Sequence, residues 1–139
     1  MYLVDTNVWL ERLLSQERSD EVGSFLARAP GHELLITDFY LHSIGVILDR
    51  LDRIEALRRF VDDLFVRGGV RLVSVSPESM GALIDEMDRS QLDFDDAYQY
   101  VAAAEAGALI VSFDHDFDRT SLGRLEPNQA LASMARSAS

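Results

Sequence analysis

The chain has 139 residues, 47% hydrophobic and 27% charged, enough for one domain with a proper core and typical of a soluble globular protein. It has no cysteine, which excludes disulfides and thiolate chemistry, and its thirteen bases are all arginine, which excludes lysine Schiff bases and Walker-type phosphate loops. Twenty-four acids leave a net charge of −11, which argues against broad non-specific binding to nucleic acid.

The first predicted element is a short buried strand, "MYLV" (1–4), after which Asp5-Thr6-Asn7 cap a helix carrying Val8, Trp9 and Leu13. Val22, Phe25, Leu26 and Ala29 mark a second helix, stopped by Pro30-Gly31. "ELLIT" (33–37) reads as a strand, and Thr37-Asp38 cap a helix with Leu41, Ile44, Ile47, Leu48 and Leu51 on one face. Ile54, Leu57, Phe60, Val61, Leu64 and Phe65 predict another helix, closed by Gly68-Gly69. "VRLVSV" (70–75) is a third strand, and Ser76-Pro77 starts a helix that runs to about Arg89. "FDDAYQYVAAAEAG" predicts an alanine-rich helix ended by Gly107, and "ALIVSF" (108–113) is the fourth strand. The tail from Leu122 contains a proline-started turn, "EPNQALASM". This rhythm predicts an α/β fold, a three-layer α/β/α sandwich with a central parallel sheet, as a single domain over residues 1–139. The N-terminus lacks a basic leader, and no apolar run nears the ~20 residues that span a bilayer, so a cytoplasmic location off the membrane is expected.

Ligands of an open parallel sheet sit beyond the carboxyl ends of its strands. Two predicted strands lead there into carboxylates, Asp5 and Asp114, the latter opening "DHDFD" with Asp116 and Asp118. Asp93, Asp95 and Asp96 cluster at a helix start. Asp93 and Asp95 are adequately explained as solvated acids that offset the helix dipole. Asp96 falls on the face of Tyr100 and Ala104, which reads as inward. Asp5, Asp96 and Asp114 would repel one another in one pocket, and a divalent cation removes that penalty. Oxygen donors without cysteine or paired histidine fit Mg²⁺ or Mn²⁺ better than Zn²⁺, and such sites hydrolyse phosphodiesters.

Taken together and in order, "YLVDTNVWL" and "FDDAYQYVAAAEAGALIVSFDHDF" resemble the PIN domain, the metal-dependent ribonuclease fold that includes the VapC toxins of toxin–antitoxin pairs. The resemblance implies catalytic Asp5, Asp96, Asp114 and Asp116. Asp5, Asp96 and Asp114 would be metal ligands, and Asp116 a helper that binds a second ion or holds water. It further implies that Ser112 orients the acidic loop and Asn7 fixes Asp5. One departure stands out: the family carries a glutamate on the helix after the second strand, and "TDFYLHSIG" places Ser43 there, with His42 beside it. Both are kept as supporting candidates, and the spacing puts Asp38 and Asp49 too far off to substitute. The implied function is an Mg²⁺- or Mn²⁺-dependent endoribonuclease acting on RNA, a toxin with an antitoxin partner and a homodimer. The alternative is a degenerate PIN domain that binds RNA or protein without cutting. A phosphoaspartate protein is disfavoured, since Asn7 stands where a second acid belongs and lysine is lacking.

Trp9, Phe39, Phe60 and Phe65 read as core or partner-facing residues rather than base-stacking platforms. "RLDRIEALRR" reads as a solvated helix face, with an RNA-backbone strip as its sharper interpretation. Asp118 and His115 read as exposed loop residues.

Overall fold

The computed structural model describes residues 1–138. Its sheet holds β1 (Tyr2–Val4), β2 (Leu34–Thr37), β3 (Arg71–Val73) and β4 (Leu109–Val111), all parallel, in the order β3-β2-β1-β4. Leu3 stands opposite Leu35 on one side and Ile110 on the other. Leu3, Val4, Leu35 and Ile36 are fully buried, as strands covered on both faces must be.

Among the described residues seven α-helices flank the sheet: α1 (Thr6–Leu13), α2 (Ser19–Arg28), α3 (Asp38–Arg50), α4 (Ile54–Val61), α5 (Met80–Ser90), α6 (Phe94–Ala106) and α7 (Pro127–Ala138). Helix α1 packs against both α2 and α3, α3 against α4, and α7 on α2, whereas α5 and α6 pack together and α6 meets β1 and β4. The result is the expected three-layer sandwich. Trp9 and Phe60 meet edge to face at 5.4 Å, and Trp9 Nε1 donates to the Val4 carbonyl at 3.1 Å, so both are core residues as expected. None of the described helices is long and apolar enough to cross a membrane.

Several local expectations need correction. "EPNQALASM" is the start of a twelve-residue helix rather than a turn: Pro127 opens it, Ala130 is fully buried, and Glu21 on α2 accepts from the Asn128 N–H at 3.1 Å. The third strand stops at Val73 because the Val75 N–H donates to the Tyr98 hydroxyl, 2.9 Å away, instead of to a neighbouring strand. The helix after Ile54 widens into a π-turn over Asp62–Arg67. On α6 the buried residues are Ala97, Tyr98, Gln99, Val101, Ala102 and Ala103, whereas Ala104 is exposed and Tyr100 reaches Ser121 at the surface. Asp96 gains its inward position from the helix start lying at the sheet's carboxyl edge.

Candidate active site

Four chain segments deliver polar groups to that edge. Asp5 follows β1 in extended conformation and caps α1, its Oδ1 accepting from the Asn7 N–H at 3.4 Å. Thr37 ends β2 and caps α3, accepting from the Tyr40 N–H at 3.0 Å. Asp93 caps α6 by accepting from the Asp96 N–H at 2.8 Å. Asp114 lies beyond β4 and accepts from the Asp116 N–H at 2.9 Å, opening a short 3-10 turn over His115–Arg119. Each acid is thus fixed by a helix-capping bond, the ordinary use of aspartate at a helix start.

Asp96, Asp114 and Asp116 each place one carboxylate oxygen within 4.8 Å of the others. Asp116, expected as a helper, stands inside this group. Asp5 is 6% exposed and lies behind it, with Oδ2 accepting from the Ser112 hydroxyl at 2.5 Å. The same Ser112 oxygen accepts from the Asp114 N–H at 2.9 Å, so one hydroxyl joins the acid after β1 to the acid after β4. Asn7 closes the arrangement, donating to Ser112 Oγ at 3.5 Å and accepting from the Phe113 N–H at 3.3 Å. Ser43 and His42 are exposed on the cleft wall. Asp38, placed out of range by spacing, lines the same cleft, but its Oδ1 is already engaged by the Tyr98 hydroxyl and the Phe39 N–H, each at 2.9 Å.

Burial raises the Asp5 pKa, and Asp114 adds to the rise against the hydrogen-bonding influence of Ser112, Tyr40 and Asn7. The Asp96 carboxyl is pushed up to about 7, first by burial, then by the charges of Asp93, Asp114, Asp5 and Asp116. Tyr40 is held well above the usual phenol range by burial and by Asp5, Asp96 and Asp114. Its hydroxyl stands beside Asp5 without completing a hydrogen bond of full geometry.

These groups open into a cleft of about 920 Å³ lined by Thr6, Phe39, Gln99 and the acids of α3, α6 and the β4 loop. No arginine is among its lining residues, although Arg119 reaches Asp116 from outside at 3.4 Å. The arginines of "RLDRIEALRR" stay off this cleft; Arg58 pairs with Glu55 at 3.4 Å, and Arg59 lines a separate cleft of about 510 Å³ beside Trp9 and Phe60.

A family model, the PIN domain, matches residues 2–122. The chain belongs to the PIN domain family. Solved structures similar to this PIN domain include VapC20 of Mycobacterium tuberculosis, described as a sarcin-ricin loop cleaving toxin, at TM-score 0.75 and 18% identity over 91% of this chain and 100% of that one. A toxin–antitoxin complex from Klebsiella pneumoniae aligns at TM-score 0.73 and 17% identity, over 91% and 98% of the two chains. FitAcB from Neisseria gonorrhoeae aligns at 0.70 and 15%, over 91% and 98%. At such identities the likeness is one of fold. No curated protein matches the chain in sequence.

The donor set of this PIN domain fits a hard divalent cation. It offers clustered carboxylate oxygens with no sulfur, and burial first, then the neighbouring acids, push one of those carboxyls toward its protonated form, a penalty that a bound cation would offset. Among the described residues, the buried side-chain polar atoms left without a partner are Thr6 Oγ1, Tyr40 Oη and Gln99 Nε2. All three belong to residues lining this one cleft, where a hydrated cation would supply partners.

Sequence reasoning missed Tyr40, Gln99 and Arg124. Gln99 had a legible signal, lying one turn beyond Asp96, and its Oε1 accepts from buried Thr37 at 2.7 Å. Arg124 had none. It donates to the Ser112 carbonyl at 3.1 Å and pairs with Asp118 at 3.1 Å and Glu126 at 2.9 Å, so it braces the acidic turn from behind.

Proposed function

We propose that this PIN domain is a divalent-metal-dependent endoribonuclease, the toxin half of a toxin–antitoxin pair. The observation that carries the reading is the meeting of Asp96, Asp114 and Asp116 above buried Asp5, in a cleft where Thr6, Tyr40 and Gln99 each leave one buried polar atom without a partner. Asp96, Asp114 and Asp116 would hold Mg²⁺ or Mn²⁺, with Asp5 as buried counter-charge and orienting group. A cation there supplies Lewis-acid polarisation of a phosphodiester and neutralises the charge that develops at phosphorus. The protein's own part is positional. Ser112 fixes Asp5 and the Asp114 backbone with one oxygen, and Arg124 holds the loop that carries Asp114 and Asp116. The open Ser43 and His42 wall leaves room for substrate where the family's glutamate would stand.

Several features extend the reading. Net charge of −11 complements a basic antitoxin segment, and the toxin–antitoxin complex from Klebsiella pneumoniae, similar in fold, is consistent with it. A homodimer and a cytoplasmic location belong to the same proposal. Purified protein with Mn²⁺ and mixed RNA tests it: cleavage is expected, and Asp114→Asn and Asp5→Asn are each expected to abolish it. Cleavage that survives both substitutions sinks the nuclease reading. The exposed Ser43 in place of an acid favours a second reading, a PIN domain that binds RNA or protein without cutting; binding with no turnover at any Mn²⁺ concentration selects it.

A further inference from the structure

Phe39, unlike Trp9 and Phe60, lies outside the core. It is 37% exposed, and it lines the wall of the acidic cleft. Its ring lies flat on Tyr98, with centroids 4.0 Å apart and planes within 6°. Phe94, 40% exposed, leans on both rings at 6.1 and 6.3 Å. Tyr98 is only 3% exposed, and its hydroxyl is fixed twice, donating to Asp38 and accepting from the Val75 N–H. The Phe39 ring therefore rests on a side chain that is itself buried and held at its hydroxyl.

An ion held by Asp96, Asp114 and Asp116 fills little of a 920 Å³ cleft, a size that lies within the ~300–1,000 Å³ span of small-molecule sites. The cleft walls offer no arginine to track a nucleic-acid backbone. Flat aromatic area on this wall offers a way to grasp a nucleotide beside the hydrogen-bonding groups of Thr6, His42, Ser43 and Gln99, and an aromatic ring stacks on any base because every base has a π-face.

We propose that Phe39, seated on Tyr98, is a stacking platform for one nucleobase of a single-stranded RNA whose scissile phosphate lies over the Asp96–Asp114–Asp116 group. This rests on the ribonuclease reading. Phe39 is a binding residue and takes no part in the chemistry.

The test compares wild type, Phe39→Leu and Phe39→Trp in Mn²⁺ with two substrates, a single-stranded oligoribonucleotide and a small phosphodiester joining two abasic riboses, which has no aromatic ring to stack. Stopped-flow emission of a 2-aminopurine oligoribonucleotide reports stacking before any turnover. Phe39→Leu is expected to raise KM for RNA roughly tenfold to hundredfold, to weaken 2-aminopurine quenching in parallel, and to leave hydrolysis of the small diester unchanged. Phe39→Trp is expected to restore RNA affinity. An unchanged KM for RNA in Phe39→Leu, or an equal loss on both substrates, overturns the platform. If wild type hydrolyses neither substrate yet quenches 2-aminopurine through Phe39, the nuclease reading fails and the stacking site stands. If wild type hydrolyses the diester without quenching, the reverse holds. Should Phe39→Leu not fold, quenching of the added indole in Phe39→Trp by unmodified RNA decides the matter, since native Trp9 is buried.

Discussion

At Asp96 the fold sets a carboxyl against its own ionisation, through burial and through the charges of Asp93, Asp114, Asp5 and Asp116. Its pKa of about 7 stands above the ordinary 3.8, so between pH 4 and 7 the native chain keeps a proton that the unfolded chain has released. Stability from this group is complete below pH 4 and is lost as pH rises toward 7. In a chelator, chemical denaturation is therefore expected to show higher stability at pH 5 than at pH 7.5, with much of that difference gone in Asp96→Asn. Cation binding must expel the same proton. Titration calorimetry in buffers of different ionisation enthalpy should show Mn²⁺ binding release about one proton at pH 6 and almost none at pH 8.5. Ser112 offers a second handle, because its hydroxyl serves buried Asp5 and the Asp114 N–H together. Ser112→Ala is expected to reduce stability by about 2 kcal/mol, the usual worth of a hydrogen bond to a charged group, and to weaken Mn²⁺ binding. An unchanged unfolding midpoint and Mn²⁺ isotherm would remove Ser112 from the site's framework.

Elements carry the site through their ends. Asp93 caps α6 and also raises the Asp96 pKa, so two substitutions separate its structural and electrostatic parts. Asp93→Ala loses the cap and is expected to lose about 1 kcal/mol. Asp93→Asn keeps a capping oxygen while removing charge. It should leave stability nearly intact and lower the Asp96 titration midpoint, as followed by NMR of the carboxyl carbon; a midpoint that stays put contradicts the assigned cause. On another side of the sheet, Gly31 and Gly68 bring the turn before β2 against the end of the π-turn that follows α4. A Cβ on Gly31 would fall 1.5 Å from the Gly68 carbonyl oxygen. Gly31→Ala must shift one segment, and overpacking of this kind costs about 1–3 kcal/mol or more. Urea unfolding should show that loss, while Mn²⁺ binding by the folded protein persists.

For the whole molecule, a cation that neutralised the clustered acids of the carboxyl edge would stabilise the folded state. Ligand bound to the native state alone stabilises by about 2.7 kcal/mol at a hundred times its Kd. Mn²⁺ at that excess is expected to raise the thermal midpoint of wild type by several degrees and that of Asp114→Asn by almost nothing. Equal shifts in both proteins would place the ion elsewhere.

The strands and the acids that follow them were legible in the sequence because both are local patterns. Apolar runs stop at Asp5, Thr37 and Asp114, and parallel pairing must bring strand ends to one edge. The capping roles of Asp5, Thr37 and Asp93 follow from polar residues standing before helical periods. Side-chain direction was not legible. Asp116 joins Asp96 and Asp114 because Asp114 turns the chain back on itself, while Asp5 is drawn down by Ser112, 107 residues away. Likewise Phe39 sits at helical spacing with core residues, yet it stays in the open because Tyr98, from α6, occupies the space beneath its ring. By itself the sequence determined which acids lie at the carboxyl edge. Which of them share a centre, and which ring lies open beside it, depended on contacts between segments far apart in the chain, where packing decides direction and local pattern carries no record of it.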